Sequence, residues 1–218
     1  MNLEPARHIV WDWNGTLLDD NQATLISVNS VLAEFGRGPL DLAGWRAAFS
    51  RPLTACYERL IGQRLTTQDW ARIDVLYHDA YRAELASCGL AVGVPQLLRE
   101  WRAAGRTQSL LSMWFHDELM SMLGELSLTE LFTHVDGLRG ANLGGSKAAH
   151  LAEHLAAVPV DPADVVLIGD VVDDAEAALS VGARCVLVST GVMDRPRLEA
   201  AGVPVADSIT EALGLLED

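Results

Sequence analysis

The sequence has very little lysine, few cysteines and no long hydrophobic run. Of its 16 basic residues only Lys147 is a lysine, so any chemistry that needs an amine has a single candidate. The three cysteines, Cys56, Cys88 and Cys185, form no CxxC pair, which argues against a disulfide framework and against a thiolate zinc site. No apolar run approaches the roughly 18 residues that a membrane helix needs, and the first residues lack an apolar signal core. We therefore expect a cytoplasmic protein.

Positive charge is also scarce. The 218-residue chain has 30 acidic and 16 basic residues, a formal net charge of −14. This balance argues against a nucleic-acid partner or an anionic membrane, because both need a basic face. Half of the residues are hydrophobic, which is enough for a sizeable core. The length fits one α/β domain of about 150 residues with a smaller insert.

Hydrophobic spacing divides the chain into three parts. A strand signal at His8–Trp11 is followed by helical spacing from Asp19 to about Cys88, and after Gly89 strand and helix signals alternate. The later strand signals are Thr107–Leu111, Phe132–Asp136, Val165–Ile168, Cys185–Val188 and Val203–Ala206. The alternation predicts an α/β fold with a doubly wound parallel sheet. We expect residues 1–18 and 88–218 to form the core domain and residues 19–87 to form an inserted helical domain.

Polar residues follow three of these strands, and a further one opens a predicted helix. Asp12–Thr16 comes after the first strand, Ser112 after the second, Lys147 opens a predicted helix, and Gly169–Asp174 follows the apolar run at Val165–Ile168. Each cluster alone is ordinary turn or cap chemistry. Because ligands bind at the carboxyl ends of parallel strands, the four together indicate one site.

The residue types in these clusters suit phosphate chemistry. Asp12 and Asp170 offer the carboxylate oxygens that Mg²⁺ prefers. Ser112 and Lys147 offer a hydroxyl and a cation to phosphate oxygens. Asp12 could also attack phosphorus as a carboxylate nucleophile.

The four clusters resemble the motifs of the haloacid dehalogenase-like (HAD) hydrolase superfamily. The helical insert at 19–87 resembles the small cap of its phosphoglycolate phosphatase and β-phosphoglucomutase branch, and the resemblance covers nearly the whole chain. It implies a Rossmann-like core with an all-helical cap. It also implies a Mg²⁺-dependent phosphohydrolase that acts on a small phosphorylated metabolite through an aspartyl-phosphate.

The resemblance assigns the phosphate-handling roles residue by residue. Asp12 would be the nucleophile, and Thr16, Ser112 and Lys147 would bind the phosphoryl group. These roles belong to the resemblance, since a serine after a strand or a lysine on a helix is unremarkable alone.

It also assigns the metal ligands. Asp12, the backbone carbonyl of Asn14 and Asp170 would hold Mg²⁺, with Asp174 as a further acid of that motif. Asp173 is the neighbouring option for the last position.

Asn14 departs from the family pattern, which places an acid there to protonate the leaving group and later activate water. An amide cannot do this near neutral pH. Two hypotheses follow: a phosphatase with a modified proton-transfer step, or a catalytically weakened relative that binds a phosphorylated ligand or a partner. His116, four residues beyond Ser112, is a candidate replacement acid.

Two further features allow two interpretations each. Arg51 lies where related caps carry a substrate-facing loop, so it either grips an anionic substrate or is a solvated arginine before a helix. The sequence from His150 to His154 spells HxxEH, which can place two imidazoles on one helix face for zinc. We expect these histidines instead to lie on the solvated face of their helix.

Overall fold

The computed structural model describes residues 6–139 and 146–216. Its strands are β1 (His8–Trp11), β2 (Leu18–Asp19), β3 (Gly89–Leu90), β4 (Thr107–Phe115), β5 (Val135–Leu138), β6 (Val165–Gly169), β7 (Arg184–Val188) and β8 (Val205–Ala206). In the described part of the chain, six of them form one parallel sheet in the order β5–β4–β1–β6–β7–β8. The predicted doubly wound α/β fold is confirmed.

Helices cover the sheet and fill the insert. In chain order they are α1 (Asn21–Glu34), α2 (Leu42–Ala48), α3 (Leu53–Ile61), α4 (Thr67–Glu84), α5 (Val94–Ala103), α6 (His116–Glu125), α7 (Lys147–Ala157), α8 (Val172–Ser180), α9 (Arg195–Ala200) and α10 (Ile209–Gly214). None of the helices described is both long enough and apolar enough to cross a membrane.

The two central strands are buried along their whole length. Every residue of β1 and β6 is inaccessible to solvent, as expected for a parallel sheet covered on both faces. Side chains alternate between the two faces: Ile9 and Ile168 pack in one hydrophobic core, and Val10 and Leu167 pack in the other. This double burial fixes the carboxyl ends of β1 and β6 side by side.

The helical insert leaves and re-enters the core at a short two-stranded ladder. Leu18 of β2 pairs with Leu90 of β3 in antiparallel register, and the amide of Ala91 donates to the carbonyl of Leu17 at 2.9 Å. Helices α1 to α4 lie between these strands. The ladder brings both ends of the insert close to the first strand of the sheet. The division into domains at residues 19 and 87 stays a prediction.

Local residues mark the ends of several helices. Asp41 caps α2, and α3 begins directly after Pro52 and ends at Gly62, whose φ of 74° is left-handed. Thr66 and Asp69 form a capping box at the start of α4.

Two predicted strands had the wrong bounds, and one helix was not predicted. Strand β4 continues to Phe115, so Ser112 lies within the strand and not after it, because Trp114 is also buried in the core. Strand β5 begins at Val135, three residues after Phe132, which instead follows a 3₁₀ turn. Helix α9 had no predicted counterpart, although Asp194 caps it.

The capping box of α4 provides a test of local stability. Thr66 accepts a hydrogen bond from the amide of Asp69, and the Asp69 carboxylate accepts one from the amide of Thr66. Thr66→Ala should lower the free energy of unfolding by about 1 kcal/mol, because the backbone amide of Asp69 loses its partner. Urea denaturation measures this. Thr67→Ala, at the next exposed position, is the control, and an equal loss in both variants would contradict the assignment.

Candidate active site

A buried lysine lies at the centre of the site. Lys147 is the first residue of α7 and is 5% exposed. Its ammonium group forms ion pairs with the carboxylates of Asp12 and Asp174. The chain's only lysine is therefore placed among acids at the end of β1, and the predicted cluster is brought together in space.

Three carboxylates surround that ammonium. Asp12 directly follows β1, Asp170 directly follows the adjacent strand β6, and Asp174 lies in the first turn of α8. All three side chains are buried, and one oxygen of each lies within 4.8 Å of the others. Of the two candidate acids, Asp174 faces the cluster, whereas Asp173 pairs with Arg51; the role of Asp174 as a metal ligand stays a prediction.

Two glycines make room for the acids. A Cβ atom on Gly191 would overlap the carboxylate of Asp170, and one on Gly169 would overlap that of Asp174. Any larger residue would have to displace a carboxylate. The backbone therefore shapes this pocket as closely as the side chains do.

Burial and mutual repulsion perturb the acids. Burial raises the pKa of Asp12 to about 6, although Lys147 opposes the shift. Burial also raises the pKa of Asp170 well above its usual range, and the charges of Asp12 and Asp174 add to this effect. Burial alone would lower the pKa of Lys147, but the two carboxylates raise it above its ordinary value.

The charge of the cluster does not balance. Three buried acids face one buried ammonium group, and an isolated buried charge is costly unless it is paired. The donor set consists of carboxylate oxygens, which are the ligands of hard divalent cations such as Mg²⁺. The residues present therefore fit a divalent cation held by Asp12, Asp170 and Asp174.

The predicted phosphate-binding hydroxyls lie beside Asp12. The Thr16 hydroxyl donates to Asp12 Oδ2 at 3.4 Å. The Ser112 hydroxyl donates to Asn14 Oδ1 at 3.3 Å and accepts from the amide of Trp114 at 3.0 Å. Both side chains are buried at the carboxyl end of the sheet.

Comparison with known proteins identifies the family. The model of the haloacid dehalogenase-like hydrolases matches residues 9–188, which include Lys147 and all three carboxylates of this site. The chain belongs to this family. It is thus a hydrolase by family membership.

Individual relatives agree with that assignment. The chain is 28% identical over 192 residues to a phosphoglycolate phosphatase of Caulobacter vibrioides, covering 86% of this chain and 81% of the relative. It is 28% identical over 197 residues to a phosphoglycolate phosphatase of Synechococcus elongatus, covering 88% of each. Its fold is similar to that of a haloacid dehalogenase-like hydrolase from Streptococcus pneumoniae, with a TM-score of 0.81, 18% identity and coverage of 97% and 99%.

Asn14 of this hydrolase is held by the insert. Its amide nitrogen donates to Asp20 Oδ2 at 3.1 Å and to the Tyr81 hydroxyl at 2.7 Å, and Tyr81 in turn donates to Asp20 at 2.6 Å. The amide of Gly15 donates to Asp20 at 2.8 Å. Burial raises the pKa of Asp20. Sequence reasoning missed Asp20 and Tyr81, because no local motif joins them to Asn14.

Arg51 lies at the edge of the site. Its guanidinium group pairs with Asp173 at 3.2 Å, which connects the insert to α8. Both residues line a cleft of about 760 Å³, whose lining does not include Asp12 or Asp170. The cleft therefore runs beside the carboxylate cluster, and the role of Arg51 in substrate binding stays a prediction.

The loop after β7 also connects the insert to the cluster. The amide of Val192 donates to Asp170 at 2.8 Å. Arg46 of α2 donates to the carbonyls of Gly191 and Thr190 at 2.8 and 2.9 Å. The position of Asp170 thus depends on a loop that the insert holds.

The two histidine expectations have different outcomes. His116 accepts from the amide of Gly137 at 3.2 Å and contacts Arg139 at 2.8 Å, and no described contact joins it to Asn14. The expectation that His154 lies on the solvated face of its helix was wrong. His154 is 1% exposed and contacts Asp136 and Ser109 in the sheet.

The charge imbalance gives a prediction about stability. In metal-free protein at neutral pH, Asp170→Asn should raise the free energy of unfolding by about 0.5–2 kcal/mol, because burial and the neighbouring acids raise the pKa of Asp170 and folding therefore penalises its ionised form. Asparagine can still accept from the amide of Val192. Thermal denaturation in excess chelator measures this, with half-exposed Asp173→Asn as the control. A loss of stability in metal-free Asp170→Asn would contradict the claim that three buried acids outnumber the single ammonium group at a cost to stability.

Proposed function

We propose that this hydrolase is a phosphomonoesterase for a small phosphorylated metabolite, with Asp12 as its nucleophile. The observation that carries the proposal is the environment of Asp12. One of its oxygens pairs with Lys147 and the other accepts from Thr16, at the carboxyl end of the central strand. Relatives named phosphoglycolate phosphatase support the same reaction class.

The metal ligands follow from the same geometry. We assign Asp12, Asp170, Asp174 and the backbone carbonyl of Asn14 to Mg²⁺. Bound Mg²⁺ supplies neutralisation of negative charge on the transferred group. The side chain at position 14 does not affect a carbonyl ligand, so asparagine there is compatible with metal binding.

The reaction is a transfer of the phosphoryl group to Asp12 and then to water. A carboxylate oxygen of Asp12 attacks phosphorus, the bond to the ester oxygen breaks, and that oxygen takes up a proton as the alcohol leaves. Water then cleaves the aspartyl-phosphate, releasing inorganic phosphate and restoring Asp12. Lys147, Ser112 and Thr16 bind the phosphoryl oxygens throughout.

The proton donor is the altered part of this site. The Asn14 side chain cannot act as an acid or a base near neutral pH, and its amide nitrogen donates to Asp20 and Tyr81. Asp20 is a buried acid in direct contact with Asn14, so we assign proton transfer to Asp20, with Tyr81 and Asn14 as the groups that hold it in position. If Asp20 cannot deliver a proton, the protein is instead a binding module for phosphorylated ligands.

The insert has a defined part in this proposal. We propose that residues 19–87 form a cap, because Arg46, Arg51 and Tyr81 of the insert reach the loops around Asp12 and Asp170. The net charge of −14 favours a small-molecule partner in the cytoplasm over nucleic acid or a membrane.

Lys147 gives the first test. Phosphate release should be screened over sugar, nucleotide, amino-acid and glycolate phosphates with Mg²⁺, using Asp12→Asn as the blank. Lys147→Ala should lower turnover by about 10²-fold or more, the scale for loss of one electrostatic stabiliser. Arg64→Ala, at a side chain that is 95% exposed, is the control for loss of a basic residue. Near-full turnover in folded Lys147→Ala would refute the assignment, with folding checked by circular dichroism.

The contact between Asp20 and Asn14 gives the second test. Asn14→Asp alone places two carboxylates in contact, whereas Asn14→Asp with Asp20→Asn exchanges acid and amide without adding charge. We expect weak Mg²⁺-dependent activity in the wild type. The exchange variant should gain activity by up to about 10²–10⁴-fold, the range typical of general acid–base catalysis. Asp20→Asn alone should lower turnover. If neither the wild type nor the exchange variant releases phosphate, the binding-module hypothesis holds.

A further inference from the structure

We propose that His134, Asp136 and His154 form a second metal site, for a divalent transition cation of the Zn²⁺ type. Asp136 Oδ2 lies 2.8 Å from His134 Nε2 and 2.9 Å from His154 Nδ1. One ligand atom from each residue lies within 4.8 Å of the other two. The ligands come from β5, from the residue preceding it, and from α7.

The donor set differs from that of the catalytic cluster. Two imidazole nitrogens and one carboxylate oxygen suit Zn²⁺, Co²⁺ or Ni²⁺, whereas three carboxylates suit Mg²⁺. The two imidazole rings lie with centroids 5.0 Å apart at an angle of 45°, so both nitrogens reach the same side of Asp136. A cation that replaces the shared hydrogen bonds would keep all three side chains near their present positions.

A buried chain of hydrogen bonds holds the His154 ring at Nε2, the nitrogen that does not face Asp136. His154 Nε2 is 2.7 Å from the Ser109 hydroxyl, which is 2.8 Å from His8 Nε2. His8 Nδ1 is 2.7 Å from the Thr107 hydroxyl. Metal-bound histidines almost always donate their second ring nitrogen to such a partner, which fixes the orientation of the ring.

This chain can run in either direction. Without metal, the Thr107 hydroxyl donates a hydrogen bond to His8, His8 donates to Ser109, and Ser109 donates to His154 Nε2. His154 Nδ1–H then donates to Asp136. With metal on His154 Nδ1, the Nε2–H donates to Ser109 and the order reverses as far as Thr107. The Thr107 hydroxyl then has an acceptor in the carbonyl of Arg7, at 3.4 Å. Every buried partner stays satisfied in both states.

The site is open to solvent on one side. The His134 side chain is 34% exposed and the Asp136 side chain 19%, while His154 is fully buried. Arg139 pairs with Asp136 Oδ1 at 2.9 Å and leaves Oδ2 for the cation. A cation can therefore enter at His134, with water as its remaining ligand.

The position of the site relates it to the catalytic cluster. Lys147 and His154 are both buried on α7, seven residues and about 10 Å apart at the usual helical rise. A cation at His154 would fasten α7 to β5 without touching Asp12. We therefore expect the site to stabilise the helix that carries Lys147, independently of phosphatase activity.

Metal titration of the full chain tests this inference. Protein stripped with chelator is titrated with Co²⁺ in excess Mg²⁺, which keeps the Asp12 cluster occupied. Visible Co²⁺ absorption without thiolate charge transfer is expected for the wild type, and Zn²⁺ should displace the Co²⁺. Asp12→Asn should bind Co²⁺ equally well.

His134→Asn is the decisive variant, because its partly exposed side chain can change without opening the core. It should weaken Co²⁺ binding at least about 10-fold and abolish the rise in melting temperature that Zn²⁺ gives the wild type. His150→Asn changes a histidine of α7 that lies outside the cluster, and it should behave like the wild type. Equal binding by His134→Asn and the wild type, or no binding by either, would overturn the proposal.

Discussion

Three buried carboxylates and one buried ammonium group share the space where β1 and β6 end. Lys147 forms ion pairs with Asp12 and Asp174, whereas Asp170 accepts a hydrogen bond from the amide of Val192, so the cluster fits the cation that we propose and is a weak point for stability without it. The surrounding structure offsets this cost, since the central strands are buried throughout and hold the acids in place. Stability alone does not require such a cluster, whereas the phosphoryl transfer that we propose uses it.

The insert is coupled to this cluster through backbone contacts. Arg197 of α9 donates to the carbonyls of Phe49 and Arg46, and Arg46 in turn donates to the loop whose amide at Val192 holds Asp170. Any movement of the insert would therefore change hydrogen bonds one step away from Asp170, which we propose as a metal ligand. In the proposed cap, this coupling would link closure over a substrate to the position of Asp170.

Polar residues are buried in two ways in this molecule. Around Lys147 the groups are three acids and one ammonium group, and the cation that we propose would balance their charge. Around Ser109 the groups are histidines and hydroxyls, each with a partner, so the network can persist without net charge. The Asn14 network lies between these extremes, because it joins one acid, Asp20, to the neutral side chains of Asn14 and Tyr81. A neutral residue at position 14 adds no negative charge beside Asp20.

The sequence by itself determined the alternating fold, the family resemblance and the four clusters around Asp12, because those signals are local: strand spacing, capping residues and short motifs. Tertiary structure decided which of Asp173 and Asp174 faces the cluster, that His154 is buried, and that Asp20 and Tyr81 hold Asn14. These contacts join residues far apart in the chain, as Asn14 and Tyr81 are. These contacts form only when strands and helices pack together. Helical periodicity predicts which face of its own helix a residue lies on, but it does not predict which element packs against that face. Physical proximity across elements is set by the packed core, and no local pattern encodes it.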